Sequence, residues 1–156
     1  MGNIRKAEER DIPAVLSLLE QVNRIHHEGR PDLFNLATKY SDEDLKGIFA
    51  DEKTPVFVFE DDSNVLGYIF CVLKETNGDR LLADIKTLYI DDLCVDAKAR
   101  GKHVGQKLFE HVLSYAKLIG CYNVTLNVWS LNPAAQAFYE KMGMKPQKIC
   151  MEKILG

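Results

Sequence analysis

Apolar residues recur along this chain with two different periods, which separate predicted helices from predicted strands. The first helix follows Asp11, a residue suited to capping, and has Pro13 in its first turn. Gly29 and Pro31 end its pattern, and a second short helix is predicted after Ser41, where acidic residues occupy the first turn. The apolar positions of the first helix are Ala14, Val15, Leu18, Leu19, Val22 and Ile25.

Elsewhere the period is that of β-strands. The segment "NIRKA" predicts a short first strand, "TPVFVFED" and "VLGYIFCVLKE" predict a hairpin, and "ADIKTLYIDDLCV" predicts a third long strand. Two more helices are predicted in "HVGQKLFEHVLSYAKLIG", which Gly120 ends, and in "NPAAQAFYEKMG", which Asn132 caps and Gly143 ends. The segments "NVTLNVW" and "KPQKICMEKIL" complete the set as strands.

The predicted order of elements, βααβββαβαβ, indicates an α/β (α+β) fold. The strand, helix and strand between Asp84 and Val128 should form a right-handed parallel crossover, and the earlier strands can pair antiparallel through hairpins. We therefore expect a mixed, largely antiparallel sheet with a central parallel pair and helices on both faces. No repeat or flexible linker interrupts the chain, so residues 1–156 are predicted to form a single domain.

Net charge, apolar runs and cysteine spacing indicate which partners and sites are not expected. The formal net charge of -3 gives no basic field, so nucleic acid is not an expected partner. No apolar run approaches the roughly 20 residues that span a bilayer, and the N-terminus lacks a signal peptide, so we expect a cytoplasmic protein without a membrane partner. Widely spaced cysteines predict reduced, mostly buried thiols and no metal site. They are Cys71, Cys94, Cys121 and Cys150.

Two aspartates, Asp91 and Asp92, stand inside the third long strand, although strands usually avoid aspartate. The strand leads through "RGKHVG" into a helix, whose free amides and dipole favour an anionic ligand. Gly101 and Gly105 would let the backbone approach a phosphate closely. The loop matches neither the P-loop nor the GxGxxG pattern. A solvated loop without a ligand is the alternative interpretation.

The stretch "LCVDAKARGKHVGQKLFEHVL" resembles the central motif of the GNAT superfamily of N-acetyltransferases, in which Arg/Gln-x-x-Gly-x-Gly/Ala opens a helix. Arg100 and Gly105 fit the first and last positions, whereas His103 replaces the middle glycine. The stretch "VWSLNPAAQAFYEKMGMKP" is similar to a later segment of the same family. Its matching residues are Asn132, Ala135, Phe138, Tyr139, Lys141 and Gly143. Because the order of elements also matches, the chain is identified as a member of this superfamily.

The resemblance implies acetyl-coenzyme A (acetyl-CoA) as co-substrate. Its pantetheine would pair with the backbone of a bulged strand end that splays from the next parallel strand, here Leu93, Cys94 and Val95. Asn132 and Tyr139 would line the far side of the thioester, and Ala135, Phe138 and Lys141 complete the expected binding residues. The pyrophosphate would lie on the loop formed by Arg100, Gly101, Lys102, His103, Val104, Gly105 and Gln106.

The implied reaction is direct acetyl transfer to a primary amine, which must lose a proton before it attacks. Tyr139 lies at the position of the family's general acid, although a core tyrosine is the alternative. Asp91 and Asp92 resemble an acidic pair in spermidine/spermine acetyltransferases, where the acids serve amine recognition, and here they would hold a cationic amine and accept its proton through water. The alternative is a structural pairing with Lys86 or Arg100.

The segment "RIHHEGRPDLFN" falls where the family's first helices cover the acceptor site, which makes His26, Arg30 and Asp32 candidates for substrate contact. Trp129 lies beside the expected cleft. Each of these residues also has a purely structural interpretation. Asn127 stands where the ribosomal-protein alanine acetyltransferases carry a glutamate, which argues against that activity.

Three functions follow. The leading hypothesis is a cytoplasmic N-acetyltransferase for a small cationic amine. The second keeps the chemistry but acetylates a protein N-terminus or a lysine, and the third is a non-catalytic acyl-CoA-binding regulatory module. The alternating final strand, placed at a sheet edge, would also allow a homodimer.

Overall fold

A computed structural model describes residues 2–37 and 39–156. The described part of the chain contains five strands and four α-helices, with 3-10 turns at Glu9–Asp11 and Ala97–Ala99. In chain order the elements are β1 (Asn3–Lys6), α1 (Ile12–Gly29), α2 (Asp42–Ala50), β2 (Val56–Asp61), β3 (Asn64–Glu75), β4 (Lys86–Val95), α3 (Val104–Leu118), β5 (Asn123–Leu126) and α4 (Pro133–Lys141).

The strands form one sheet in the order β1-β2-β3-β4-β5. All neighbours pair antiparallel except β4 and β5, which are parallel and are joined by α3. The mixed sheet and the parallel crossover that the sequence predicts are therefore confirmed. Among the described residues, β5 is the last strand of the sheet.

Each face of the sheet carries its own apolar cluster. One cluster lies under α3, which contributes Val104, Leu108 and Val112 at the predicted helical spacing. The other lies under α1 and α2 and includes Leu18, Leu19 and Leu45. Helices thus cover both faces, as predicted. Gly67 of β3 lies directly beneath α3, where an added Cβ would come within 2.9 Å of Val104.

Two local expectations are wrong, and the apolar position Ile25 of α1, although at helical spacing, is 52% exposed. The Asp11 side chain does not cap α1; it accepts hydrogen bonds from Arg5 and from the Glu8 amide instead. The final strand is also absent: residues 145–156 have no regular secondary structure and join no strand of the described sheet. Their alternation is compatible with a strand, but they find no strand partner among the described residues.

The helix caps follow local sequence closely. Ser41 accepts a bond from the Asp44 amide at 3.1 Å, and Asp44 accepts one from the Ser41 amide at 2.9 Å, forming a capping box at α2. All four thiols are free: Cys71 and Cys94 are buried, Cys121 is half-buried and Cys150 is exposed. No helix among the described residues is long and apolar enough to cross a membrane.

Candidate active site

A β-bulge in β4 determines where the two aspartates point. Phe70 of β3 pairs with Asp92 and Cys71 pairs with Ile90, so Asp91 is the additional residue on β4. The bulge shifts the alternation of the strand by one residue. Both carboxylates consequently face the α1–α2 side of the sheet, where their hydrogen-bond partners lie. A regular strand would have separated them.

β4 also extends beyond its parallel partner. Pairing with β5 runs from Thr87 to Ile90 and stops, whereas β4 continues to Val95 and pairs there with β3 alone. The edge of β4 that faces away from β3 is therefore open over Leu93–Val95 among the described residues. An open strand edge offers backbone donors and acceptors to an extended ligand.

The loop after β4 brings the N-terminus of α3 towards this open edge. Gly101 has a φ of 87° and His103 a φ of 58°, so both adopt the left-handed conformation that turns the chain into α3. Intrahelical bonding begins with the Lys107 amide, which bonds the His103 carbonyl at 3.0 Å. The preceding amides of the first turn have no intrahelical partner, and no acidic side chain occupies that turn. The helix start therefore suits an anion, as predicted.

α4 closes the other side of the loop. An added Cβ on Gly105 would lie 3.5 Å from Val95 and 3.7 Å from Phe138, so the glycine lets the first turn of α3 lie close to β4 and α4. Asn132 is the N-cap of α4, as predicted, because its Oδ1 accepts a bond from the Ala135 amide at 3.2 Å. This capping bond places Asn132 in a structural role; it leaves the predicted thioester contact untested.

Tyr139 of α4 lies in an aromatic group with Phe109 and Phe138, with ring centroids 5.9 Å and 5.1 Å away. Burial, together with the negative charge of Asp92, raises the pKa of Tyr139 to about 12. The hydroxyl therefore keeps its proton at neutral pH. Such a group can donate a proton to a leaving group, but it is a poor base.

Asp91 is held by two residues from the segment between α1 and α2. Lys39 Nζ lies 2.9 Å from Asp91 Oδ2, and the Tyr40 hydroxyl donates to the same oxygen at 3.0 Å. Neither Lys86 nor Arg100 is the partner that the structural interpretation expected; Lys86 donates instead to the Ile119 carbonyl at 3.0 Å.

Asp92 accepts a hydrogen bond from the Tyr68 hydroxyl at 2.7 Å. Burial raises the pKa of the Asp92 carboxyl, although the Tyr68 bond and the positive charges of Lys39 and His26 act in the opposite direction. A carboxyl with a raised pKa is a better proton acceptor than an ordinary one, because its conjugate acid is weaker.

The predicted substrate residues of α1 form a separate group near the end of β5. His26 stacks on Phe34 with centroids 4.9 Å apart, and Phe34 meets Trp129 edge-on at 5.1 Å. Arg30 is engaged by Asp32 at 2.9 Å and by Glu152 at 2.7 Å. These ion pairs leave Arg30 less available to a ligand than the sequence suggested.

The predicted residues thus fall into three groups: those at the open end of β4 and the start of α3, the two aspartates at the bulge, and the residues around His26. Sequence reasoning missed Lys39, Tyr40 and Tyr68, which hold the aspartates. Their partners lie 24 to 52 positions away, and no local pattern links such residues. No cluster of three or more His, Cys, Asp or Glu suited to a metal occurs among the described residues.

Comparisons with known proteins agree with this geometry. The model of the Acetyltransferase (GNAT) family matches residues 19–144. A glucosamine 6-phosphate N-acetyltransferase from Arabidopsis thaliana is 30% identical over 99 residues, covering 55% of this chain and 64% of the relative. A second one, from Oryza sativa subsp. japonica, is 32% identical over 63 residues, covering 40% of this chain and 36% of the relative. The chain therefore spans less than two thirds of the length of these relatives.

Solved structures extend the likeness to the whole fold. A tetramutant of the BH1408 protein from Bacillus halodurans superposes with a TM-score of 0.94 at 33% identity, covering 98% of this chain and 99% of that one. The crystal structure of glucosamine-6-phosphate N-acetyltransferase from Arabidopsis thaliana has a TM-score of 0.73 at 25% identity, covering 100% and 99%.

Proposed function

Because this chain belongs to the GNAT acetyltransferase family, we propose that it is an N-acetyltransferase that moves the acetyl group of acetyl-CoA directly to a primary amine of a small molecule. The observation that carries the proposal is the end of β4. The strand continues past β5 to Val95 and leaves an open edge that leads to the N-terminus of α3. The open edge of β4 suits an extended chain that carries amides, and the N-terminus of α3 suits a phosphate.

Acetyl-CoA fits these residues. The backbone of Leu93–Val95 would hold the pantetheine arm, and the amides of the Arg100–Gln106 loop would hold the pyrophosphate. Arg100 and Lys102 are exposed there and add positive charge. The left-handed Gly101 and His103 support this role, since they turn the chain sharply at the start of α3, where the free amides of the first helical turn lie.

In the proposed reaction the neutral amine attacks the thioester carbonyl, so that a C–N bond forms and the C–S bond breaks. The amine proton passes to the Asp92 carboxylate, directly or through water, and the departing thiolate takes the Tyr139 proton. The proton on Asp92 then restores Tyr139 through solvent. The net products are an N-acetylated amine and free coenzyme A. The raised pKa of Asp92 supports its role as proton acceptor, and Tyr139, whose pKa is raised to about 12, holds at neutral pH the proton that the thiolate takes.

We consider two classes of acceptor amine. The acidic pair favours a small cationic amine, whereas the sequence relatives are named for glucosamine 6-phosphate, an amine that carries a phosphate. The engagement of Asp91 by Lys39 favours the second class, because the carboxylate charge is already balanced. The prediction of a cytoplasmic location stands untested.

A thiol-release assay tests the proposal. Purified protein and acetyl-CoA are mixed with glucosamine 6-phosphate, glucosamine, 1,4-diaminobutane or a short peptide, and the acetylated product is identified by mass spectrometry. We expect acceptor-dependent release with at least one small amine. Release with the peptide alone would favour a protein acetyltransferase. Tight acetyl-CoA binding without acceptor-dependent release would contradict the enzyme assignment and favour a regulatory module.

The proposal includes a homodimer, which the exposed segment 145–156 supports. Ile149 is 78% exposed, Met151 is 85% exposed and Leu155 is 90% exposed, although their alternation is typical of a strand. The outer edge of β5 is open among the described residues. A second copy of the chain offers both a complementary edge and an equivalent segment.

Light scattering during size exclusion tests the dimer. We expect twice the chain mass for the native protein and the chain mass for an Ile149→Lys/Met151→Lys variant, whereas Lys148→Glu, on the polar side of the segment, should leave the dimer intact. A native protein that elutes as a monomer at micromolar concentration would contradict this part of the proposal.

A further inference from the structure

Lys39 occupies an unusual place in the candidate acceptor site. Its ammonium lies 2.9 Å from Asp91 Oδ2 and 5.3 Å from the centre of the Tyr40 ring. Tyr40 itself stacks on Phe70 at 5.7 Å and donates to the same Asp91 oxygen. A side chain from a connecting segment is thus held at the carboxylate where an acceptor ammonium would be expected to bind.

We propose that Lys39 is a specificity-determining residue: its ammonium is the built-in counter-ion of Asp91, and it disfavours acceptors that carry a second positive charge. The inference rests on the proposed function, because it concerns the acceptor side of the same site. It adds a preference among acceptor amines that membership of the family does not specify.

The electrostatics of the pair support this role. Burial lowers the pKa of Lys39, but the hydrogen bond and charge of Asp91 outweigh it and raise the pKa overall, so Lys39 stays cationic. Burial meanwhile raises the pKa of Asp92, so this carboxyl takes up a proton more readily than an ordinary one. Because Lys39 is bound to Asp91, the acidic pair carries less net negative charge than its sequence suggests. A dication must displace Lys39 or lie beside it, whereas an amine that also carries an anion gains a favourable neighbour.

The position of Lys39 also allows the residue to be substituted without disturbing the fold. It lies between α1 and α2, outside both apolar clusters, and its side chain is 41% exposed. Lys46 offers a matched control: it is 43% exposed and also forms an ion pair, with Asp42 of α2 at 3.3 Å, but it has no contact with the aspartates of β4. Replacing either lysine removes one positive charge: Lys39 loses its ion pair with Asp91, and Lys46 loses its ion pairs with Asp42 and Glu43.

The experiment compares acceptor preference in the native protein with that in Lys39→Met, Lys39→Arg and Lys46→Met. The preference is the ratio of kcat/KM for 1,4-diaminobutane to kcat/KM for glucosamine 6-phosphate, with glucosamine as the acceptor that lacks the phosphate. We expect Lys39→Met to raise this ratio about tenfold, roughly 1.4 kcal/mol. The change should lie in the acceptor KM, while the KM of acetyl-CoA stays constant. Lys39→Arg and Lys46→Met should keep the native ratio.

Asp91→Asn tests whether Lys39 acts through its partner. In the Asp91→Asn background, the additional Lys39→Met substitution should change the ratio less than twofold. An unchanged ratio in Lys39→Met alone, or an equal change in Lys46→Met, would overturn the proposal. So would a full tenfold change in the Asp91→Asn background.

A binding measurement tests the proposed role of Lys39 independently of turnover. Nuclear magnetic resonance of lysines labelled at Cε gives the pKa of Lys39 in the native protein and in Asp91→Asn. We expect that pKa to fall in the variant, and we expect 1,4-diaminobutane to bind Lys39→Met more tightly than the native protein. Equal pKa values and equal diamine affinities would overturn the role of Lys39. Absence of thiol release with every acceptor would instead count against the proposed function.

Discussion

The two sides of the candidate site use different parts of the polypeptide. On the proposed acetyl-CoA side, defined by Leu93–Val95 and the Arg100–Gln106 loop, the groups offered to a ligand are mainly backbone amides at an open strand edge and a helix start. On the acceptor side, defined by Asp91, Asp92 and their partners, they are side chains that come from β3, β4 and the segment before α2. A backbone site depends on local turns, whereas a side-chain site depends on contacts between distant segments.

This difference suggests that substitutions should separate into two kinds. Changes on the acetyl-CoA side should alter cofactor affinity for every acceptor alike. Changes on the acceptor side should alter acceptor choice or proton transfer and leave acetyl-CoA affinity constant. Tyr139 lies between the two sides and should affect turnover with every acceptor.

The largest effect is expected for Tyr139→Phe. The substitution keeps the ring in its aromatic group but removes the proton that the leaving thiolate needs, so kcat should fall at least tenfold. Acetyl-CoA affinity, measured by calorimetry, should remain nearly unchanged. Full activity in this variant would assign Tyr139 to the core alone.

Asp92→Asn should have the next largest effect, a loss of roughly tenfold in kcat/KM at neutral pH, because water can partly replace the proton acceptor. The pKa of Asp92 is raised, so the ionised, active form is lost as pH falls through that raised value. The native kcat/KM should therefore show a decline at acidic pH beyond the one caused by protonation of the acceptor amine itself, and Asp92→Asn should abolish that additional decline.

The neighbouring charged and titratable groups of Asp92 are Asp91, Lys39, Tyr68, Cys94, Tyr139 and His26. Among them, histidine ordinarily titrates nearest to neutral pH. His26→Gln is thus the control for the pH profile: the additional acidic decline should persist in it. Persistence of the additional decline in Asp92→Asn would show that another group accepts the proton.

The smallest of these effects is expected for Gly105→Val. The larger side chain would push the first turn of α3 away from Val95 and Phe138 and weaken acetyl-CoA binding about fivefold, roughly 1 kcal/mol. Gly105→Ala is the matched control, since its Cβ would lie at ordinary contact distances. Equal affinities for acetyl-CoA in the two variants would argue against close packing at this turn.

Local signals explain how much the sequence could predict. The apolar face of α3 and the caps Ser41 and Asn132 depend on residues within a few positions of one another, and all of them formed. The glycine-bearing loop likewise folds from its own residues. The family motifs cover the proposed acetyl-CoA side, so its assignment can be made from the sequence, and it stays a prediction.

The spacing of apolar residues along β4 indicates the bulge, and sequence analysis could have used it. The residues of β4 that join the cluster under α3 are Leu88, Ile90, Leu93 and Val95, and their spacing changes from two to three between Ile90 and Leu93. A strict strand period would have placed the third of them at position 92. That single irregular step identifies Asp91 as the additional residue.

No comparable spacing pattern indicates the partners of the aspartates. Lys39 reaches Asp91 across 52 positions and Tyr68 reaches Asp92 across 24, so only the folded chain brings them together. The final segment is the opposite case: its alternation is clear, but a strand needs a neighbour, and residues 145–156 join no strand among the described residues.

The most direct test of the account is an amide nuclear magnetic resonance titration with coenzyme A, followed by glucosamine 6-phosphate. We predict that coenzyme A shifts the amides of Leu93, Val95 and Gly105, and that the amine then shifts those of Lys39 and Asp91. Coenzyme A shifts confined to other elements, with these amides unmoved, would contradict the assignment of the open end of β4 as the cofactor site.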